Sequence, residues 1–181
     1  MKTKLALLAT TLLLTAGSAW AQAERKDLQI FNDISGTVNR YSYFTIFDDV
    51  SASVESGNVT LEGNVTQPYK RDELEKRVAK VDGVRHVTNR INVLPVSGFD
   101  EQLRYRIARS IYGNSNFWNY AIMANPPIHI IVDHGHVTLT GVVQSNVDRM
   151  LARSLATQFG AMSVKNDLKT EAELKEQLEK S

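Results

Sequence analysis

Residues 128–143 read IHIIVDHGHVTLTGVV, and residues 50–65 read VSASVESGNVTLEGNV. Aligned on the turn glycine, Gly57 matches Gly135, Val59 matches Val137, and Thr60-Leu61 matches Thr138-Leu139. Gly63 then matches Gly141 and Val65 matches Val143, without a gap. In the first copy apolar side chains alternate through Val50, Ala52 and Val54, then Val59, Leu61 and Val65. In the second they alternate through Ile130 and Val132, then Val137, Leu139 and Val143. Period-two alternation about a two-residue turn (Ser56-Gly57, His134-Gly135) predicts a β-hairpin with one buried face. Glycine suits the tip because such turns need positive φ. A gapless internal repeat predicts two copies of one small domain.

Outward from the hairpins, each copy repeats the order helix, strand, strand, helix, strand. In copy one, Ile30, Ile34 and Val38 recur at the four-residue spacing of a helix face. Thr66 and Pro68 mark the start of a second helix with an apolar stripe of Leu74, Val78 and Val81, stopped at Gly83. Val84, Val87, Ile91 and Val93 make the last strand. In copy two, Asp100 is expected to cap a helix carrying Leu103, Ile107 and Ile111. Ser145 and Asp148 have the spacing of a capping box before Val147, Leu151 and Leu155. Val164-x-Asn166-x-Leu168 echoes Val87-x-Asn89-x-Ile91. The expected organisation is a signal peptide over 1–21, a first domain over 24–95, a linker over 96–99, a second domain over 100–170 and a charged tail over 171–181. The tail pairs Glu171 with Lys175 and Glu176 with Lys180, as a solvated helix or frayed end would.

Met1 to Ala21 has the form of a Sec-type signal peptide. Lys2 and Lys4 precede an apolar run from Leu5 to Thr15, and Ala19-Trp20-Ala21 offers a small-x-small cleavage site. The chain has no cysteine, which removes disulfides and a lipid-bearing N-terminal cysteine alike. The expectation is a soluble periplasmic protein that is not a lipoprotein. With 21 basic and 20 acidic residues, and Lys2 and Lys4 lost on cleavage, the mature chain is near neutral. That argues against nucleic acid as a partner. At roughly 70 residues each copy has a marginal core, which favours packing of one copy against the other.

The pattern Val-x-x-Gly-x-Val-Thr-Leu-x-Gly-x-Val, a helix opening near an arginine (Arg71, Arg149), then Val-x-Asn-x-Ile/Leu, resembles the BON domain. That family is named for bacterial osmotically inducible and nodulation proteins. The resemblance spans nearly the whole mature chain, twice. It implies an α+β fold of two tandem αββαβ domains, each a three-stranded mixed sheet with two helices on one face. It also implies a non-catalytic periplasmic protein associated with envelope or osmotic stress, with phospholipid membranes, and with adapter roles beside channels and secretion pores. Copy two departs from the pattern at Gly160-Ala161, one residue short of the counterpart of Gly83.

The residues themselves offer no catalytic constellation: no phosphate-binding glycine loop, no G-x-S-x-G elbow and no cysteine nucleophile. Asp48-Asp49, an adjacent acidic pair among the scattered carboxylates, reads as solvation before a strand. His129, His134, His136 and Asp133 lie close in sequence. Along a strand, however, His129 is roughly 13 Å from Asp133, so one metal cannot take all of them. No metal and no cofactor is expected.

The functional lead lies between 114 and 127. Phe117, Trp118, Tyr120, Ile122 and Met123 crowd one connection, after a helix carrying Arg104, Arg106 and Arg109. Aromatics beside arginines suit an anionic phospholipid surface, where the rings settle among headgroups and the cations meet lipid phosphate. Core packing is the competing reading of the same aromatics, and both hold if Phe117 packs inward and Trp118 outward. The expected lipid-binding set is Arg104, Arg106, Arg109, Phe117, Trp118 and Tyr120, on a scaffold shaped by Gly57, Gly63, Gly135 and Gly141. Ile131 and Val142 place apolar groups on the outer sheet face of copy two, where copy one has Ser53 and Asn64. They predict contact with copy one or with a second chain. The alternative function is a protein–protein adapter, binding an envelope protein or itself without touching lipid.

Overall fold

The structure, a computed structural model, describes residues 16–180, with side chains from Lys26 to Glu176. The expected signal peptide falls largely on residues 1–15, which lie outside the described residues.

The first repeat runs α1 (Ala16–Asn39), β1 (Asp49–Glu55), β2 (Asn58–Val65), α2 (Pro68–Val78) and β3 (His86–Val93). The second runs α3 (Gly98–Tyr112), a short α4 (Trp118–Ala121), β4 (Ile128–Asp133), β5 (His136–Val143), α5 (Asn146–Ala156), β6 (Ser163–Asn166), β7 (Lys169–Thr170) and α6 (Glu171–Lys180). In each repeat the second hairpin strand is central, antiparallel to the first and parallel to the strand after the second helix. The order β1-β2-β3 is matched by β4-β5-β6, and β7 extends the second sheet by pairing with β5. The registers coincide: Ala52 faces Leu61 where Ile130 faces Leu139, and Val50 faces Gly63 where Ile128 faces Gly141. This is the tandem α+β architecture read from the repeat, with one added strand.

The cores follow the alternation. Val59, Leu61 and Val65 lie beneath Ile30, Ile34, Leu74 and Val78 in one repeat; Val137, Leu139 and Val143 lie beneath Leu103, Ile107, Ala152 and Ala156 in the other. Each fully buried aliphatic side chain contributes about 1.5–3 kcal/mol, so two separate clusters hold two small domains.

Both hairpin turns have positive φ at their two central residues, Ser56 (51°) and Gly57 (79°), His134 (49°) and Gly135 (79°), the type I′ geometry. Their N–H groups are held from the first helix of each repeat. Asp27 accepts from Ser56 (2.6 Å) and Gly57 (2.9 Å); Asp100 accepts from His134 (2.9 Å) and Gly135 (2.8 Å). Asp100 is therefore not the helix cap. Ser97 is, its Oγ accepting the Asp100 N–H at 3.2 Å, and α3 begins inside the expected linker. Gly63 and Gly141 answer a different demand: a Cβ there would lie 2.1 Å from the Asp49 carbonyl oxygen and 1.9 Å from that of Pro127. The motif asparagines tie the parallel strand to the second helix. Asn89 donates to the Arg71 carbonyl (3.1 Å) and Asn166 to that of Arg149 (2.8 Å).

Two further expectations need correction. Helix α2 ends at Val78, several residues before Gly83, which instead carries the turn into β3 at φ 86°. On α5 the inward side is Ala152 and Ala156, and Val147 is 72% exposed, so it is not core. Of the two alternatives for the tail, the helix forms: α6 opens with Thr170 and Glu173 exchanging N–H bonds as a capping box, and Arg149 pairs with Glu173 at 2.9 Å.

Candidate functional site

The six expected contact residues divide by burial. Leu103, Arg104 and Ile107 share the inward side of α3, so Arg104 turns in with them, only 7% exposed. Its Nη2 donates to the Val132 carbonyl at 2.6 Å. Burial pushes its pKa down, against the opposing charges of Asp100 and Glu101. Arg104 braces α3 on β4 and presents no charge to a surface. Arg106 and Arg109 are exposed on the same helix.

Phe117 is fully buried. Tyr120 is also buried, its hydroxyl donating to Asp148 (2.9 Å) and accepting from the Gln144 N–H (2.7 Å). Burial is the main cause holding the Tyr120 phenol above its usual pKa, and the neighbouring Asp148 adds to it. These two rings pin a four-residue helix that could not persist alone. Trp118 stands between them on the opposite side, 66% exposed, with Ile122 and Met123 also exposed just beyond it. The Tyr120–Asp148 bond fastens α4 to the first turn of α5, where Val147 and Met150 are exposed as well.

The exposed apolar side chains of these elements are Trp118, Ile122, Met123, Val147 and Met150, and α3 exposes Arg106 and Arg109. Sequence reasoning missed Met150 and expected Val147 on the core face. The signal for both was the pair Ala152 and Ala156, small residues at helical spacing that mark where α5 approaches the core.

A second feature is the seam between the repeats. The connection after α1 crosses to the free edge of β4, where the Ile46 carbonyl accepts the Ile130 N–H at 2.7 Å. Ile46 and Phe47 pack on the core of the second repeat, and Phe47 meets Tyr105 edge-to-face with centroids 5.2 Å apart. Asn125 donates to the Asn39 carbonyl at 3.1 Å. Val142 and His129, on the outer face singled out by sequence, line a cleft of about 620 Å³ with Phe44, Thr45 and Ile46. Ile131 on that face is 5% exposed.

The histidines are dispersed. His129 packs on Phe44, His134 contacts Asp133, and His136 contacts Ser163. Among the described residues no group of three or more His, Cys, Asp or Glu side chains could hold a metal ion. Nor is any described helix long and apolar enough to cross a membrane.

The sequence pattern of the BON domain matches residues 32–95 and 117–172, one segment in each repeat. No curated protein matches the chain. Two solved structures that resemble it come from Chlamydia trachomatis. CdsD, a structural protein of the type III secretion system, is 14% identical, with 83% of this chain and 97% of that one covered at a TM-score of 0.30. The C-terminal domain of CdsD is 13% identical, with 78% and 96% covered at a TM-score of 0.29. Likeness at that level carries no argument about function.

Proposed function

The chain belongs to the BON domain family, whose domains are non-catalytic binding modules, and from that premise we propose that its second repeat is a contact surface for anionic phospholipid membranes. The observation that carries this reading is Trp118, two-thirds exposed on a helix that Phe117 and Tyr120 fix from behind. An exposed indole on a pinned helix loses little conformational entropy when it enters the headgroup region. Ile122, Met123, Val147 and Met150 add apolar area around it, and Arg106 and Arg109 each contribute on the order of 1 kcal/mol near an anionic surface. Such binding is weak, reversible and salt-sensitive. In the periplasm it would serve envelope maintenance under osmotic or other stress.

Sedimentation with liposomes tests the reading. The protein is expected to pellet with vesicles rich in phosphatidylglycerol and to stay in solution with pure phosphatidylcholine. Trp118→Ala and the double substitution Arg106→Ala/Arg109→Ala should each abolish pelleting while leaving the urea midpoint unchanged. Absence of pelleting by the parent protein at low salt would overturn it.

A further inference from the structure

In the second repeat the outer edge of β4 is covered from within the chain. The turn closed by the Asp48 N–H on the Thr45 carbonyl lies against it with Ile46 and Phe47 at its centre, and Ile128, Ile130 and Val132 are fully buried. Among the described residues no strand pairs with the equivalent edge of the first repeat. By the shared register the Ala52 N–H stands where the Ile130 N–H stands, yet among the described residues it has no hydrogen-bond partner. The inward residues Val50, Ala52 and Val54 are all only half-buried. Beside them a groove of about 270 Å³ opens to solvent, lined by Phe31, Ile34, Ala52 and Leu61 and bounded by Phe44 and by His129 of β4. Edges of this kind are usually blunted by lysine, proline or a bulge; β1, reading DVSASVE and paired without interruption, has none of these.

We propose that β1 is a docking edge for an extended peptide segment of a partner protein, with alternating apolar side chains flanked by basic residues. The backbone would add as a strand to the outward N–H and C=O groups of β1, and one row of its side chains would fill the groove. The basic flanks follow from Asp49 and Glu55, which close the two ends of β1 with no ion-pair partner among the described residues. The same charges disfavour a second copy of this chain as occupant: antiparallel self-pairing centred on Ala52 sets Asp49 opposite Glu55 at both ends, and opposed like charges are destabilising. The chain's own Ile46-Phe47 segment is already committed to β4. This edge lies on the other repeat from Trp118 and does not depend on the membrane reading.

The test titrates the isotope-labelled chain with a blocked synthetic peptide, Lys-Phe-Thr-Ile-Phe-Lys, and follows backbone amide shifts. Shifts are expected to concentrate in 49–55. Two versions of the peptide carry N-methyl groups on alternate amides in opposite phase; one of them should bind at least tenfold more weakly than the other, since only one phase removes the N–H groups facing β1. Ala52→Pro removes the solvent-facing donor, leaves the bonds to β2 in place, and should weaken the parent peptide by a similar factor. Equal binding of the two methylated peptides, or shifts centred outside β1, would overturn the proposal. So would concentration-dependent dimerisation through β1 without peptide binding, which would assign the edge to a second copy.

Discussion

At the end of its central strand each repeat must satisfy one inward backbone N–H, and the two do so with different chemistry. In the first, the Thr66 N–H is accepted by Asp48 at 2.8 Å, and the fully buried Asp48 also takes the Lys70 ammonium at 2.6 Å. In the second, the Gln144 N–H is accepted by the Tyr120 hydroxyl, which donates onward to Asp148. Lys70 and Asp148 occupy the same place in the repeat, with opposite charge. One site needs an ion pair taken out of water; the other uses a neutral phenol as relay to a carboxylate. The comparison teaches that the fold demands an acceptor there and leaves its identity free. It also corrects the reading of Asp48 as a solvated charge. Because Tyr120 fills the role in the second repeat, the connection preceding β4 became aromatic, and the same short helix carries Trp118 outward.

The comparison can be broken most severely at Gly63 and Gly141. Alanine at either position meets a carbonyl oxygen at a distance no Cβ tolerates and adopts an unfavourable φ. Gly63→Ala and Gly141→Ala should each cost about 4 kcal/mol, and hydrogen exchange should localise the loss to the repeat that carries the substitution. If either variant kept the parent's protection, the two sites would not be equivalent.

The opposite charges at Lys70 and Asp148 give a middle-sized effect. Lys70→Met leaves a buried carboxylate without its cation and should cost about 3 kcal/mol, whereas Asp148→Asn keeps an acceptor for Tyr120 and should cost under about 1 kcal/mol. A pH titration sharpens the contrast. Burial would raise the Asp48 pKa, but the hydrogen bonds from Lys70, Thr66 and Thr45 outweigh it and hold it below the usual 3.8. The resulting stability is present above that value and is lost as pH falls through the lowered one. Urea midpoints measured from neutral pH into that acid range should therefore fall, and less so in Asp48→Asn.

The smallest expected difference separates the turn clamps. Asp27→Asn and Asp100→Asn each weaken two charge-assisted bonds to a hairpin tip, by about 1–2 kcal/mol. The larger loss belongs to Asp100, which is fully buried where Asp27 is partly open. Equal shifts in thermal midpoint would show that burial does not matter at the clamp.

Much of this molecule was legible in its residues, for local reasons. Alternation about Gly57 and Gly135 specified two hairpins, because a one-residue slip would turn every apolar side chain to water. The four-residue spacing of Ile30, Ile34 and Val38 specified a helix face, and Val-x-Asn-x-Ile/Leu specified the closing strand. The candidate site was half legible: aromatics beside arginines pointed to the connection that carries Trp118, but period and composition do not say which ring faces in. Arg104 and Trp118 were alike as candidates until one was found braced on Val132 and the other standing in solvent.

By itself, then, the sequence determined the duplication, the order of elements and the absence of disulfide chemistry, since repeat spacing and residue type are properties of the chain alone. Only the tertiary structure decided that Asp27 and Asp100 hold the turns, that Ile46 closes the edge of β4, and that β1 keeps its edge open. These contacts join residues far apart along the chain, and which partner a buried polar group or a strand edge finds depends on what the fold brings beside it.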